Sequence, residues 1–146
     1  MAVKTRSGKD IMNTDWHFGT PVYRIEKPEW VTKLNKATDK YIKNAQKNLQ
    51  PELKERKKIL GNKDYLKVKD HGVSYHSTPL NGDPNLKEIE TYIGHTAWNL
   101  LDEWGYDMSL YTMFFTEFWV QEFAKQGGGH HSTHVHWDNH ISGFYF

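Results

Sequence analysis

The chain has 146 residues, enough for one compact domain with its own core and too few to expect two. Its 19 Lys and Arg against 18 Asp and Glu leave a formal charge of +1, so no overall field recruits nucleic acid or an anionic membrane. Cysteine is absent, which removes disulfides, thiolate metal sites and cysteine nucleophiles together and leaves nitrogen and oxygen as the donors for any metal.

In chain order, residues 1–19 are polar and aperiodic and read as a loose arm with no signal-peptide core. A short extended piece follows from Thr20 to Ile25, and Pro21 within it suggests a sheet edge. Lys27-Pro28 opens a helix, because proline suits a first helical turn. Trp30, Val31, Leu34, Ala37, Tyr41, Ile42, Ala45 and Leu49 then recur at helical spacing. Pro51 restarts a second helix that runs to Leu60 and closes at Gly61-Asn62, giving a helical region over 28–60. Val68, Val73 and Tyr75 fit short strands around the turn residues Asp70 and Gly72.

Asn81-Gly82-Asp83-Pro84 is a turn that leads into a helix over 84–104, with Asp83 as N-cap and Pro84 in the first turn. Leu86, Ile89, Ile93, Ala97, Leu100, Leu101 and Trp104 form its apolar stripe, and Gly105 stands where a left-handed residue is wanted. Residues 106–146 read as the start of a β core: an aromatic strand over Leu110 to Phe123, a break at Gly127-Gly128-Gly129, and a second β segment from Ile141 to Phe146. The region Lys33 to Lys69 holds twelve of the nineteen basic residues, but they alternate with acidic ones on the polar side of a helix. A solvated face is preferred there to a nucleic-acid stripe, which would show steeply salt-dependent binding.

Five of the nine histidines fall between His130 and His140, in the segment GGGHHSTHVHWDNHISGFYF. In an extended chain, residues two apart share a face, so His134, His136 and Asp138 can converge on one pocket while Val135, Trp137 and Asn139 face away. Two imidazoles and a carboxylate on one face of an octahedron form the donor set of non-haem Fe(II) oxygenases, with three positions left open. The bland readings are a surface histidine loop, and an Asp138 that shapes a turn with Asn139. His130, His131 and His140 are expected to be supporting or surface groups, and His17, His71, His76 and His95 ordinary polar or core histidines.

These residues resemble the 2-oxoglutarate/Fe(II) oxygenases common in marine bacteria and their viruses, whose motif runs His-x-His and then Ser-Gly-x-Tyr-Tyr. Here that is His134-Val135-His136 followed by Ser142-Gly143-Phe144-Tyr145-Phe146. Weaker echoes are Thr20-Pro21-Val22-Tyr23, Gly72-Val73-Ser74, the Leu80 to Pro84 turn, and Trp119. The resemblance implies an α+β fold with N-terminal helices on an incomplete double-stranded β-helix, a jelly-roll or cupin-like core. It also implies Fe(II) and 2-oxoglutarate as cofactors, and a small molecule or protein side chain as the substrate that is hydroxylated.

The resemblance leaves the first ligand pair open between His136 with Asp138 and His134 with His136, and the spacing favours the former. It draws the second His ligand and the basic partner of 2-oxoglutarate from strands downstream of Phe146. An apolar strand left without a partner at Phe144 to Phe146 further suggests a fragment that is poorly active alone. With no roughly 20-residue apolar span, a soluble cytoplasmic protein, host-cytoplasmic if virus-encoded, is expected. The competing reading is a non-catalytic metal-binding jelly-roll module or an inactive remnant.

Overall fold

The computed structural model describes residues 3–4, 11–17 and 19–146, without the side chains of residues 3, 4, 11 and 16. The chain mixes helices with small antiparallel sheets, as an α+β reading requires, and it divides into two compact units.

The first unit comprises the described residues of Met1–Leu34 together with Gly82–Phe115. Here the expected loose arm is corrected: β1 (Val3–Lys4), β2 (Ile11–His17) and β3 (Thr20–Arg24) form an antiparallel sheet in that order. His17 pairs with Thr20, and Gly19 takes φ 79° in the connection, so a tight turn without the usual Asn-Gly signature makes the hairpin. Pro21 lies on the edge strand β3, where its missing N–H costs no ladder bond.

A 3-10 turn at Pro28–Trp30 leads into α1 (Val31–Asn48). The Trp30 ring meets Tyr92 edge-on at 4.8 Å between centroids, and the Lys27 ammonium lies 4.7 Å from the Tyr92 centroid. Lys33 pairs with Glu88. Asp83 does cap, but it caps a turn: its carboxylate accepts from the Asn85 N–H at 2.9 Å, and the next helix begins at Lys87. That helix (Lys87–Glu103) ends as expected, with Gly105 at φ 93°. Its stripe buries Ile89, Leu100 and Leu101, while Trp104 stays half exposed and donates its indole N–H to the Tyr23 hydroxyl at 2.6 Å.

The second unit comprises Asn35–Asn81 and Thr116–Phe146. The rest of α1 is followed by α2 (Gln50–Val68), which is two helices in one: Gly61 at φ 72°, ψ 162° interrupts it. The stop expected at Gly61 is therefore present, and a further helical piece follows that the mixed pattern after Asn62 concealed. Arg56 Nη1 donates to the carbonyls of Lys69 (3.2 Å) and His71 (2.9 Å). The strand β4 (Ser74–His76) pairs antiparallel with β5 (Gln121–Phe123). Ser77 N–H to the Val120 carbonyl (3.0 Å) and Leu80 N–H to the Phe118 carbonyl (2.7 Å) carry the association further.

So the aromatic strand expected over 110–123 is a regular strand only at its end, and 141–146 has no strand pairing among the described residues. Strand geometry needs a partner, and the partner available to 110–123 is the short stretch around β4. Leu53, Val73, Tyr75 and Ala124 form the core of this unit, with Ala45 and Leu49 packed against it.

Tyr75 carries a testable consequence. It is 6% exposed and donates its hydroxyl to Asp70 Oδ2 at 2.9 Å. Burial first, then the bond to Asp70 and the negative charges of Asp70 and Glu122, push its pKa up from 10.0 to about 12. The folded state holds this proton more tightly than the unfolded chain. The stabilisation is therefore complete below the unfolded value and is lost as pH rises through the folded one. Denaturant titrations from neutral pH upward should show the wild type losing stability over that alkaline window, and Tyr75→Phe losing much less. Parallel curves for the two proteins would exclude Tyr75 as the group.

Candidate metal centre

The histidine segment is tied to the β4–β5 ladder at its beginning. Gly127 N–H returns to the Ala124 carbonyl at 2.9 Å, and Gly72 N–H binds the Gly127 carbonyl at 2.9 Å. Ser74 donates its hydroxyl to the His130 carbonyl at 2.8 Å, and His71 Nδ1 lies 3.0 Å from the Gln126 carbonyl. Glycine is required at 128, where φ is 72° and an added Cβ would lie 2.6 Å from the His71 ring. His71, expected to be an ordinary histidine, thus clasps the glycine loop.

Beyond that anchor the rings stack. Trp119 lies against His76 at 4.2 Å and against His131 at 5.5 Å, and His131 lies against His134 at 4.4 Å. His131 Nδ1 is 2.7 Å from Gln121 Oε1, a bond in which the amide oxygen accepts and the ring donates. The neighbouring groups that dehydrate its ring come first, then repulsion from His134, His76, His136 and His130; together they hold the His131 pKa below the usual histidine value.

His134 donates Nδ1–H to the Ser132 carbonyl at 2.7 Å, which in the neutral ring leaves the lone pair on Nε2. That Nε2 faces His136 Nε2 at 3.0 Å. Two nitrogens at right angles about an ion, each about 2.0–2.1 Å from it, stand about 3 Å apart, so this spacing matches two adjacent positions of one coordination sphere. Without an ion the contact is a hydrogen bond from His136 Nε2–H to His134 Nε2. An ion would replace that proton as the His136 proton moved to Nδ1.

The structure therefore brings His134 and His136 together. Asp138 takes φ 59° in a turn with Trp137, and this left-handed residue interrupts the extended alternation that would have put its carboxylate on the same face. Among the described residues no three His, Asp or Glu side chains gather to hold an ion. Asn139, expected to face away, accepts the Thr116 hydroxyl at 2.7 Å. Residues 131–138 are all exposed. A cavity of about 620 Å³ lies elsewhere, along Leu49, Leu53, Ile59, Leu60, Val68 and Val73.

Sequence reasoning missed the support supplied by Trp119, Gln121, Ser74 and His76. A signal for part of it was present, since Trp119 and Gln121 are two apart and share a face in any extended segment. Comparison with family models, curated proteins and solved structures finds no match to this chain.

Proposed function

We propose that the chain carries the first metal-binding motif of an Fe(II)- and 2-oxoglutarate-dependent oxygenase, acting in the cytoplasm on a small molecule or a protein side chain. The observation that supports it most is the facing His134 and His136 pair, in a segment whose motif resembles that family. Two imidazole nitrogens at this spacing fit a divalent ion of the Fe, Ni, Cu or Zn series, and the carboxylate of a facial triad would come from Asp138 or from another chain segment. This reading extends the α+β fold to a jelly-roll core, in which the association of residues 73–80 with 118–124 is one strand pair.

When bound with 2-oxoglutarate, the iron supplies oxidation of a substrate C–H bond by O2. The chain's own part is geometric. Ser132 fixes the His134 tautomer, His136 brings its Nε2 to the shared point and would free that nitrogen by shifting its proton to Nδ1, and the β4–β5 ladder holds the base of the loop. Asp138 stands in a left-handed turn apart from this pair, so its part is tested by substitution.

Anaerobic Fe(II) titration with 2-oxoglutarate is expected to give a visible charge-transfer band. His136→Ala should abolish it. His134→Ala should abolish it if His136 works with His134 and leave it if His136 works with Asp138. No band in the unsubstituted chain would overturn the oxygenase reading. The second reading, a non-catalytic metal-binding module, draws on the exposure of residues 131–138. It predicts Zn(II) or Ni(II) uptake that 2-oxoglutarate does not change.

A further inference from the structure

We infer that His131 is a positioning residue that holds the His134 ring so that its Nε2 meets that of His136, and that Gln121 and Trp119 fix His131 in turn. The inference rests on the reading that His134 and His136 share an ion, and it adds what keeps two exposed side chains in register.

The starting point is a problem of freedom. Residues 131–138 are exposed and lie outside any strand, so their rings have little packing to restrain them, and ordering a free side chain opposes every bond it makes. The Ser132 carbonyl fixes one nitrogen of His134 but leaves the ring free to swing about that bond. The missing restraint is supplied by the stack. His131 stacks on His134 at 4.4 Å with 29° between the planes, and Trp119 stacks on His131 at 5.5 Å with 23°.

The stack stands on the ladder. His76 of β4 and Gln121 of β5 are directly paired across the two strands. His76 lies against Trp119 at 4.2 Å, and Gln121 accepts from His131 Nδ1 at 2.7 Å. One rung of a β-ladder therefore supports the stack at two points. Among the described residues no third His, Asp or Glu joins His134 and His136 in a group that could hold an ion, so His131 is read as acting on the ring beside it.

The test uses the 146-residue chain with Co(II) and Zn(II) as probes. Binding is followed by Co(II) absorption and by calorimetry. Nitrogen-15 NMR of the metal-free protein reads the His134 tautomer, and backbone amide signals outside residues 127–140 report whether each variant is folded. His131→Ala should weaken both ions about ten- to hundredfold, the range for groups that orient a metal-binding histidine. It should also move the His134 nitrogen signals towards those of a free imidazole. His131→Phe keeps the stacked face and should recover most of the affinity. Gln121→Ala, which removes no ring but frees His131 Nδ1, should give a smaller loss in the same direction. Wild-type affinity in His131→Ala, or His134 signals that stay where they were, overturns the inference. A wild-type chain that takes up neither ion sinks the metal reading instead, and the His134 signals then decide the positioning alone.

Discussion

Replacing Leu86 with alanine is expected to destabilise the chain by about 2–5 kcal/mol, the range for truncating a leucine whose surroundings cannot close over the gap. Leu86 is 0% exposed, and its backbone is pinned on both sides: its N–H donates to the Asp83 carbonyl and its carbonyl accepts from Glu90, each at 2.9 Å. Pinned backbone relaxes little, which places the loss in the upper half of that range. For a chain of this size the melting temperature should fall by roughly 5–15 °C. Thermal unfolding followed by circular dichroism measures it. A fall of only a degree or two would mean that the stripe of the helix Lys87–Glu103 is not the core of its unit.

The second large effect is expected at Gly129. A Cβ there would lie 2.7 Å from Phe123 Cδ1 and 2.8 Å from the Val73 carbonyl oxygen. Phe123 is a side chain and can turn, but the Val73 carbonyl is backbone and already accepts the Ala124 N–H at 3.0 Å. The loop must move instead. Gly129→Ala should therefore cost about 1–3 kcal/mol, as overpacking does, and should weaken ion binding through the displaced His130 anchor. Gly143→Ala is the control: nothing lies within 4 Å of its added Cβ, and the expected change is within about 0.5 kcal/mol. If the two variants melt together, the glycine loop does not pack against the ladder as described.

These contrasts show what the sequence made legible. Helices were readable because their signal is local: Pro28 at a start, Gly61 and Gly105 at stops, and a stripe from Leu86 to Leu101 that repeats every turn. Strands were harder, because a strand exists only through its partner. The alternation of β2 was hidden among polar residues, and the aromatic run from Leu110 onward was β-like in composition but found pairing only near Phe118 to Phe123.

The candidate site divides in the same way. The two-residue spacing of His134 and His136 was legible, and their Nε2 atoms lie 3.0 Å apart. The turn at Asp138 depended on a left-handed backbone that a residue count does not reveal, although its Asp-Asn pair is the kind that favours one. The support from Trp119, Gln121 and His76 arises from cross-strand register, which a single sequence does not encode within any one window.

The break in α2 has a consequence of its own. Because Gly61 interrupts the hydrogen-bond ladder, the peptide dipoles on its two sides do not add into one long column, and each piece ends in its own partial charges. The negative end of the second piece lies where Arg56 of the first sends its guanidinium, while Ile59 and Leu66 remain 77% and 58% exposed. The bend is a clasp closed by hydrogen bonds from a cation to carbonyls, with Ile59 and Leu66 left outside it, so its closure rests on Arg56 more than on apolar burial.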